Sequence, residues 1–275
     1  MASCEAVLLL VLVQILASLF PPTDAVVRGE HVRKRGMFPF AVSLQLADGN
    51  WTHFCGGTHL GEGWILTAAH CILPLQKGNQ TQIVAVIGGG NLNDSSVQRL
   101  PIVETHILSS YNPVTMVGDI ALLRAVLPRN SSGTSGTELQ SSILRLPDES
   151  YRTAVNGELC YIFGYGSDSY DGPISGTLRY GTVLALELDS CIGMMGAVVA
   201  PPPDSGMFCA IGRSDACKGD SGGGYVCQRP HTTQFVLRGV ISYGVGCGAP
   251  GTPGVYTDVG YYRQHYPFGT LIGSS

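Results

Sequence analysis

Short apolar or alternating runs separated by Gly, Pro, Asn and Ser recur along most of this chain: Phe40 to Leu46, Trp64 to Thr67, Gln82 to Ile87, Ile120 to Arg124, Leu159 to Phe163, Leu178 to Leu186 and Gln234 to Tyr243. Runs of this length bounded by turn formers read as strands, and the 37 glycines supply the turns between them. Only Asp189 to Gly196 and Val259 to Tyr266 read as short helices, and the second has poor apolar spacing and runs into Pro267, which cannot continue it. The polar, low-complexity stretch Asn130 to Ser142 divides the chain near its middle. No internal repeat is visible. The pattern therefore predicts an all-β protein with little helix, built in two halves.

The first 25 residues depart from this pattern. An apolar run from Ala6 to Phe20, broken only by Gln14 and Ser18, ends in Pro21-Pro22-Thr23-Asp24-Ala25. It is shorter than the roughly 20 residues a membrane-spanning helix needs. Small residues at Thr23 and Ala25 suit signal peptidase, so residues 1–25 are read as a secretory signal rather than an anchor, although no positive charge precedes the run. The remainder, 26–275, would then be extracellular and long enough to bury a large core in one or two domains. Of nine cysteines, Cys4 leaves with the signal, and the remaining eight form an even set, as an oxidised secreted domain requires. Eight cysteines allow on the order of a hundred pairings, and no CxxC spacing points to a metal site. Four sequons, at Asn50, Asn79, Asn93 and Asn130, lie in polar surroundings and predict surface glycosylation. A net charge of −4 offers no long-range attraction for nucleic acid, and the one basic cluster, Arg28 to Arg35, reads as a solvated loop.

Three local contexts carry chemistry. Cys217-Lys218-Gly219-Asp220-Ser221-Gly222-Gly223 frames a serine between glycines, where a hydroxyl could stand in an exposed tight turn. A serine needs a base to attack anything. Thr67-Ala68-Ala69-His70-Cys71 supplies a histidine at the end of an apolar strand, and Gly118-Asp119-Ile120-Ala121-Leu122-Leu123 supplies an aspartate at the opening of another. The order His, Asp, Ser, with all three contexts together, resembles the chymotrypsin/trypsin family of serine endopeptidases.

The resemblance covers about residues 26 to 266 and implies two six-stranded antiparallel β-barrels, about 26–135 and 136–275, with the active site in the cleft between them. It implies that His70 takes the proton of Ser221, that Asp119 orients the imidazole, and that the backbone N–H groups of Gly219 and Ser221 form an oxyanion hole. It pairs Cys55 with Cys71, Cys160 with Cys227, Cys191 with Cys209 and Cys217 with Cys247. It makes Asp215, with Ala216 beside it and Gly244 and Gly254 in the walls, a pocket for Arg or Lys. Ser242, Tyr243 and Gly244 become a strand edge that pairs with the substrate backbone. It also implies a zymogen step in which a freed Val26 amine pairs with Asp220. Expected partners are protein or peptide substrates and protein protease inhibitors. A monomer is expected, with no cofactor and no metal, since Gly88 to Gln98 lacks the paired glutamates of a calcium loop.

Several positions depart from the family pattern. Ala25 precedes Val26 where relatives carry Arg or Lys, so signal peptidase itself would expose Val26. Arg28 replaces a glycine at a position that wants positive φ. Tyr165 and Tyr243 replace tryptophans, and Gly224 replaces a proline. A non-catalytic or latent homologue that binds without cutting is the alternative function. The G-x-S-x-G pattern at Gly219 to Gly223, with Asp258 and His265 after it, also fits an α/β-hydrolase. However, the chain lacks alternating strands and long helices, and too few residues follow Ser221 to complete such a sheet.

Overall fold

The structure is a computed structural model that describes residues 26–32, 36–76, 82–128, 144, 146–147, 157–229 and 232–263. The first half closes a barrel in the order β2-β3-β4-β7-β6-β5 from β2 (Ala41–Leu46), β3 (Thr52–Gly61), β4 (Trp64–Thr67), β5 (Ile83–Ile87), β6 (Leu100–Ile107) and β7 (Ala121–Ala125). The second half orders β8 (Leu159–Gly164), β9 (Arg179–Leu186), β10 (Met207–Gly212), β11 (Gly224–Gln228), β12 (Phe235–Gly244) and β13 (Gly254–Asp258) as β9-β10-β13-β12-β11-β8, and pairing of β8 with β9 closes it. A short β1 (Glu30–His31) adds to β9. All pairings are antiparallel, and the two closed six-stranded barrels match the predicted architecture. The predicted division near residue 135 falls outside the described residues, as do residues 1–25.

Closure explains the burial. In β9 alternate side chains are buried, the period-2 signature of one face turned to a barrel interior, whereas β4 is buried along its whole length. Strand β3 escaped the hydrophobic pattern because Gly56 and Gly57 interrupt it, and glycine is depleted in strands. Packing demands both glycines. A Cβ on Gly56 would stand 2.9 Å from Gly223 N in the other barrel, and one on Gly57 would meet Ile65 Cγ2 at 2.9 Å.

Helix is sparse: α1 (Ala69–Gln76), α2 (Leu188–Met195) and α3 (Val259–Arg263). The α2 and α3 segments fall where short helices are predicted, but α1 corrects the sequence reading, because His70 lies in a helix that begins two residues after β4 ends. An aromatic cluster ties the barrels together. Phe38 stacks on Phe163 with ring centroids 5.3 Å apart and packs within 6.3 Å of Phe40, Tyr161, Tyr180 and Phe235. Aromatic pairs of this kind add about 0.5–1.5 kcal/mol each beyond their buried area.

The four disulfides have the pairing that the resemblance implies. Cys160–Cys227 joins directly opposed residues of β8 and β11, and Cys55–Cys71 ties β3 to α1 beside His70. The latter bond spans 16 residues, worth roughly 3 kcal/mol in the chain-entropy model. Four bonds of this kind fit an oxidising compartment. No helix among the described residues is long and apolar enough to cross a membrane.

Candidate active site

Asp119 comes to the barrel junction just ahead of β7 and is completely buried. Its carboxyl accepts three hydrogen bonds: from His70 N at 2.8 Å, from His70 Nδ1 at 2.7 Å and from the Ser242 hydroxyl. The backbone contact and the ring contact together fix α1 and the imidazole in one orientation. His70 keeps about a quarter of its side chain exposed, with Nε2 on the side facing the cleft's Cys71 sulfur at 3.7 Å. That sulfur also lies 3.7 Å from the Ser221 carbonyl oxygen, so imidazole and serine flank one disulfide. Among the described residues no hydrogen bond joins the Ser221 hydroxyl to His70, a separation common in serine–histidine sites without substrate.

Ser221 stands in a tight turn. Asp220 N donates to Cys217 O and Gly223 N to Asp220 O, both at 2.9 Å, while Gly56 N of the other barrel donates to Ser221 O at 2.8 Å. Gly219 takes φ +92°, a conformation that strains any residue with a Cβ, and a Cβ there would also lie 2.8 Å from Ile174 Cδ1. The N–H groups of Gly219 and Ser221 have no acceptor among the described residues, which leaves two donors beside the serine.

Next to Ser221 opens a cavity of about 260 Å³. Among the described residues Asp215 is its one acidic lining residue, and Ala216, Ser242, Tyr243, Gly244 and Gly254, which the resemblance assigns to the substrate pocket, line it too. Burial pushes the Asp215 carboxyl up from its ordinary value, against backbone donors from Gly248, at 2.7 Å, and Ala216. No cationic side chain pairs with Asp215 among the described residues. The Cys217–Cys247 bond joins two lining segments. On β12 the β11 partner ends at Gly224 opposite Val240, so Ser242 to Gly244 keep one edge without a strand partner. A Cβ on Gly244 would meet nothing closer than 3.9 Å, on Gly246 O and Gly254 Cα. Gly244→Val should therefore leave the Tm within about 2 °C while lowering kcat/KM for an arginine amide by roughly a hundredfold, because the added methyls project into the passage between the glycine walls. Thermal melts and steady-state assays on the same preparation check both halves.

The Val26 side chain is fully buried in the second barrel's core, in one cluster with Tyr256. Val27 pairs with Asp215, whose N–H donates to Val27 O at 3.2 Å. Asp220 is wholly buried, holds the N–H groups of Gly166 and Cys217 at 2.8 and 2.9 Å, and has no cation beside it among the described residues. Burial pushes its carboxyl up to about 7. Arg28 takes φ +58°, as a glycine position would.

The other departures have local reasons. A Cβ at Gly224 would already meet Phe163 Cζ and Thr58 Oγ1 at 2.7 Å. The Tyr165 hydroxyl donates to Gly89 O in the first barrel, and the Tyr243 hydroxyl donates to Val199 O at 3.0 Å. Asn50 and Asn93 are exposed, whereas Asn79 and Asn130 lie outside the described residues.

Three features were not legible in the sequence. The Ser242 hydroxyl turns to Asp119 and completes its hydrogen bonding. Lys218 and Tyr170 form the pocket rim, with the ammonium 4.3 Å from the ring centroid. His53 bonds the Gly219 carbonyl from the first barrel, at a sequence distance no local pattern reveals.

A double β-barrel in which a His–Asp pair and a glycine-framed serine flank one disulfide defines the class. Comparison with known sequences agrees: the trypsin family model matches residues 27–265. Human "Serine protease 56" is 32% identical over 233 residues, covering 83% of this chain and 36% of that protein. Rat "Coagulation factor XII" is 33% identical over 280 residues, covering 90% and 44%. "Trypsin Tyr p 3.0101" of the mite Tyrophagus putrescentiae is 35% identical over 232 residues, covering 82% and 74%. The chain belongs to the trypsin family of serine proteases. It spans less than half the length of the human and rat proteins it matches.

Proposed function

We propose that this chain is a secreted serine endopeptidase that cleaves peptide bonds after Arg or Lys. Ser221 attacks the scissile carbonyl as His70 takes its proton. The acyl-enzyme forms as His70 returns that proton to the leaving amine, and water then repeats the sequence to release the acid. Asp119 holds the imidazole with Nδ1 as donor, leaving Nε2 to act as the base. The observation that carries the reading is the pair of unoccupied N–H groups of Gly219 and Ser221 beside the serine, where a developing oxyanion would be bound. Specificity rests on Asp215, an acid without a cationic partner among the described residues, in a cavity large enough for a long side chain. Protein substrates, protein inhibitors, a monomeric state and glycosylation at Asn50 and Asn93 belong to the same reading.

Maturation would follow from cleavage before Val26. Its φ of +47° is costly for a β-branched side chain, and φ exists only while residue 25 acylates its nitrogen. Cleavage therefore removes the strain and frees an ammonium as counter-charge for Asp220. The uncleaved form should lose stability as pH rises between Asp220's unfolded value of 3.8 and its folded value of about 7, because the unfolded chain releases that proton first. The loss amounts to roughly 3–5 kcal/mol. A form beginning at Val26 should lose far less, and thermal melts of the two forms across this range decide it. Equal pH dependence would remove the link between Val26 and Asp220.

The defining test is hydrolysis of an arginine amide and a phenylalanine amide by the secreted protein, with N-terminal sequencing alongside. Cleavage of the arginine amide alone, by a chain starting at Val26, is the expected outcome. A protein that starts at Val26 and cuts neither substrate would favour the latent homologue, to which the strained Arg28 points.

A further inference from the structure

Asp215 is shared between the substrate cavity and a second, smaller cleft. Three segments build that cleft: Arg28 from the N-terminal stretch, Arg213 and Ser214 from the turn after β10, and Gly248 and Thr252 from the loop that leads into β13. The enclosed space is about 20 Å³, room for one water-sized group. The three segments are tied to one another. The Ser214 hydroxyl donates to Arg28 O at 3.2 Å, Asp215 N donates to Val27 O at 3.2 Å, and Gly248 N donates to Asp215 Oδ2 at 2.7 Å. A Cβ on Gly248 would collide with Val27 Cγ1, so the loop also packs directly on the N-terminal stretch.

The charge in this cleft does not balance. Arg28 and Arg213 both line it and both are exposed, and neither has a carboxylate partner among the described residues. Guanidinium groups stay protonated at any relevant pH, so two like charges share one small space and repel. Among the described residues Asp215 is the one acid that lines the cleft, and its Oδ2 is already held by Gly248 N–H. Arg28 also holds φ +58°, a conformation that glycine adopts without cost. A residue kept in an unfavourable backbone conformation points to a use for its side chain.

We infer that Arg28 and Arg213 form a binding site for a tetrahedral oxyanion, a sulfate or phosphate group, which bridges the two guanidinium groups and locks the N-terminal stretch against the Asp215 wall. One anion oxygen fills the cleft, and the others stay at the exposed mouth, where the planar fork of each arginine matches them in pairs. An outward-facing oxygen leaves room for an ester link, so the group can be a free ion or the sulfate ester of a polysaccharide. Bound there, the anion offsets the repulsion and links residue 28 to residue 213, in parallel with the Ser214 bond to Arg28 O. A ligand that binds only this docked arrangement shifts the equilibrium towards it by mass action. The pairing of Val27 with Asp215 becomes harder to open, and with it the wall of the substrate cavity. Binding stands without the protease reading; its effect on arginine cleavage rests on that reading.

Sodium sulfate titrated into the secreted protein at constant ionic strength, with chloride as the balancing ion, tests the site by calorimetry and by the Arg28 and Arg213 amide resonances. Saturable binding with a Kd of about 1–10 mM is expected, competed by inorganic phosphate. Arg213→Gln should weaken it about tenfold, as should Arg28→Gly, which relieves the positive φ and so keeps the fold. Arg28→Lys, with the charge but not the fork, should lose about threefold. At ten times the Kd, exchange of the Asp215 amide hydrogen should slow about tenfold in wild type and not respond in Arg213→Gln, a comparison that also controls for the general stabilising action of sulfate. A sulfated oligosaccharide of defined length separates the two sources. Affinity about 100-fold above free sulfate, lost with either arginine, assigns the polysaccharide ester; equal affinity per sulfate group assigns the free ion. No saturable binding above chloride, or binding that both Arg28→Gly and Arg213→Gln leave intact, overturns the site. Binding that leaves Asp215 exchange unmoved overturns the lock. In a form that starts at Val26, saturating sulfate should lower KM for the arginine amide about threefold, and an unmoved KM beside slowed exchange overturns the coupling to the pocket. Arginine-dependent binding in a protein that cuts nothing would overturn the protease reading alone.

Discussion

Replacing Ser221 by alanine should lower kcat for an arginine amide by about a million-fold, the scale of losing the nucleophile from a serine–histidine–aspartate unit. The residual rate should still exceed the uncatalysed one by about a thousandfold, because the Gly219 and Ser221 N–H groups and the Asp215 pocket remain. The Tm should not move measurably. The Ser221 hydroxyl makes no hydrogen bond among the described residues, so its removal orphans no partner, and the turn is held by backbone bonds that alanine keeps. Burst kinetics with an ester substrate supply the check: wild type should show a burst equal to the enzyme concentration, and the variant none. Substantial turnover in the variant would place the nucleophile elsewhere and end the acyl-enzyme mechanism proposed for Ser221.

Asp215→Asn should lower kcat/KM for the arginine amide by about 10⁴-fold, because a buried site built around one charge rejects strongly when that charge is lost. The phenylalanine amide should change by less than about tenfold, since the rest of the cavity is unaltered. The same substitution should raise the Tm of the unliganded protein near neutral pH. An acid whose folded pKa is raised by burial costs stability once pH passes its unfolded value, and Asn removes that cost while keeping an acceptor for Gly248 N–H. Loss of arginine cleavage together with a gain in Tm is the signature of a charge kept for substrate. A fall in Tm would instead make Asp215 a structural anchor for the Gly248 loop and for Val27.

Much of the site could be read from the chain because its parts carry short-range signatures. The glycines around Ser221, the apolar run before His70 and the one after Asp119 each mark a local conformation, and the pairing of eight cysteines followed once the family was recognised. Strands with clean alternation, such as β9, were equally legible. Strand β3 was not, because its glycines answer to the approach of Gly223 from the other barrel and to Ile65, neither of which a local pattern contains. Helix α1 was missed for a related reason: its apolar residues follow those of β4 without a break, so the period changes with no turn residue to mark it.

The sequence by itself determined the fold class, the family and the residues proposed to act, since those depend on periodicity and on contiguous motifs. Tertiary structure alone decided how they are oriented. Ser242 is directed to Asp119 across 123 positions of sequence, His53 to Gly219 across 166, and the Tyr165 hydroxyl to Gly89 across 76. Hydrogen bonds of that reach join groups that only closure of two barrels against each other brings within 3 Å, and no local periodicity encodes them.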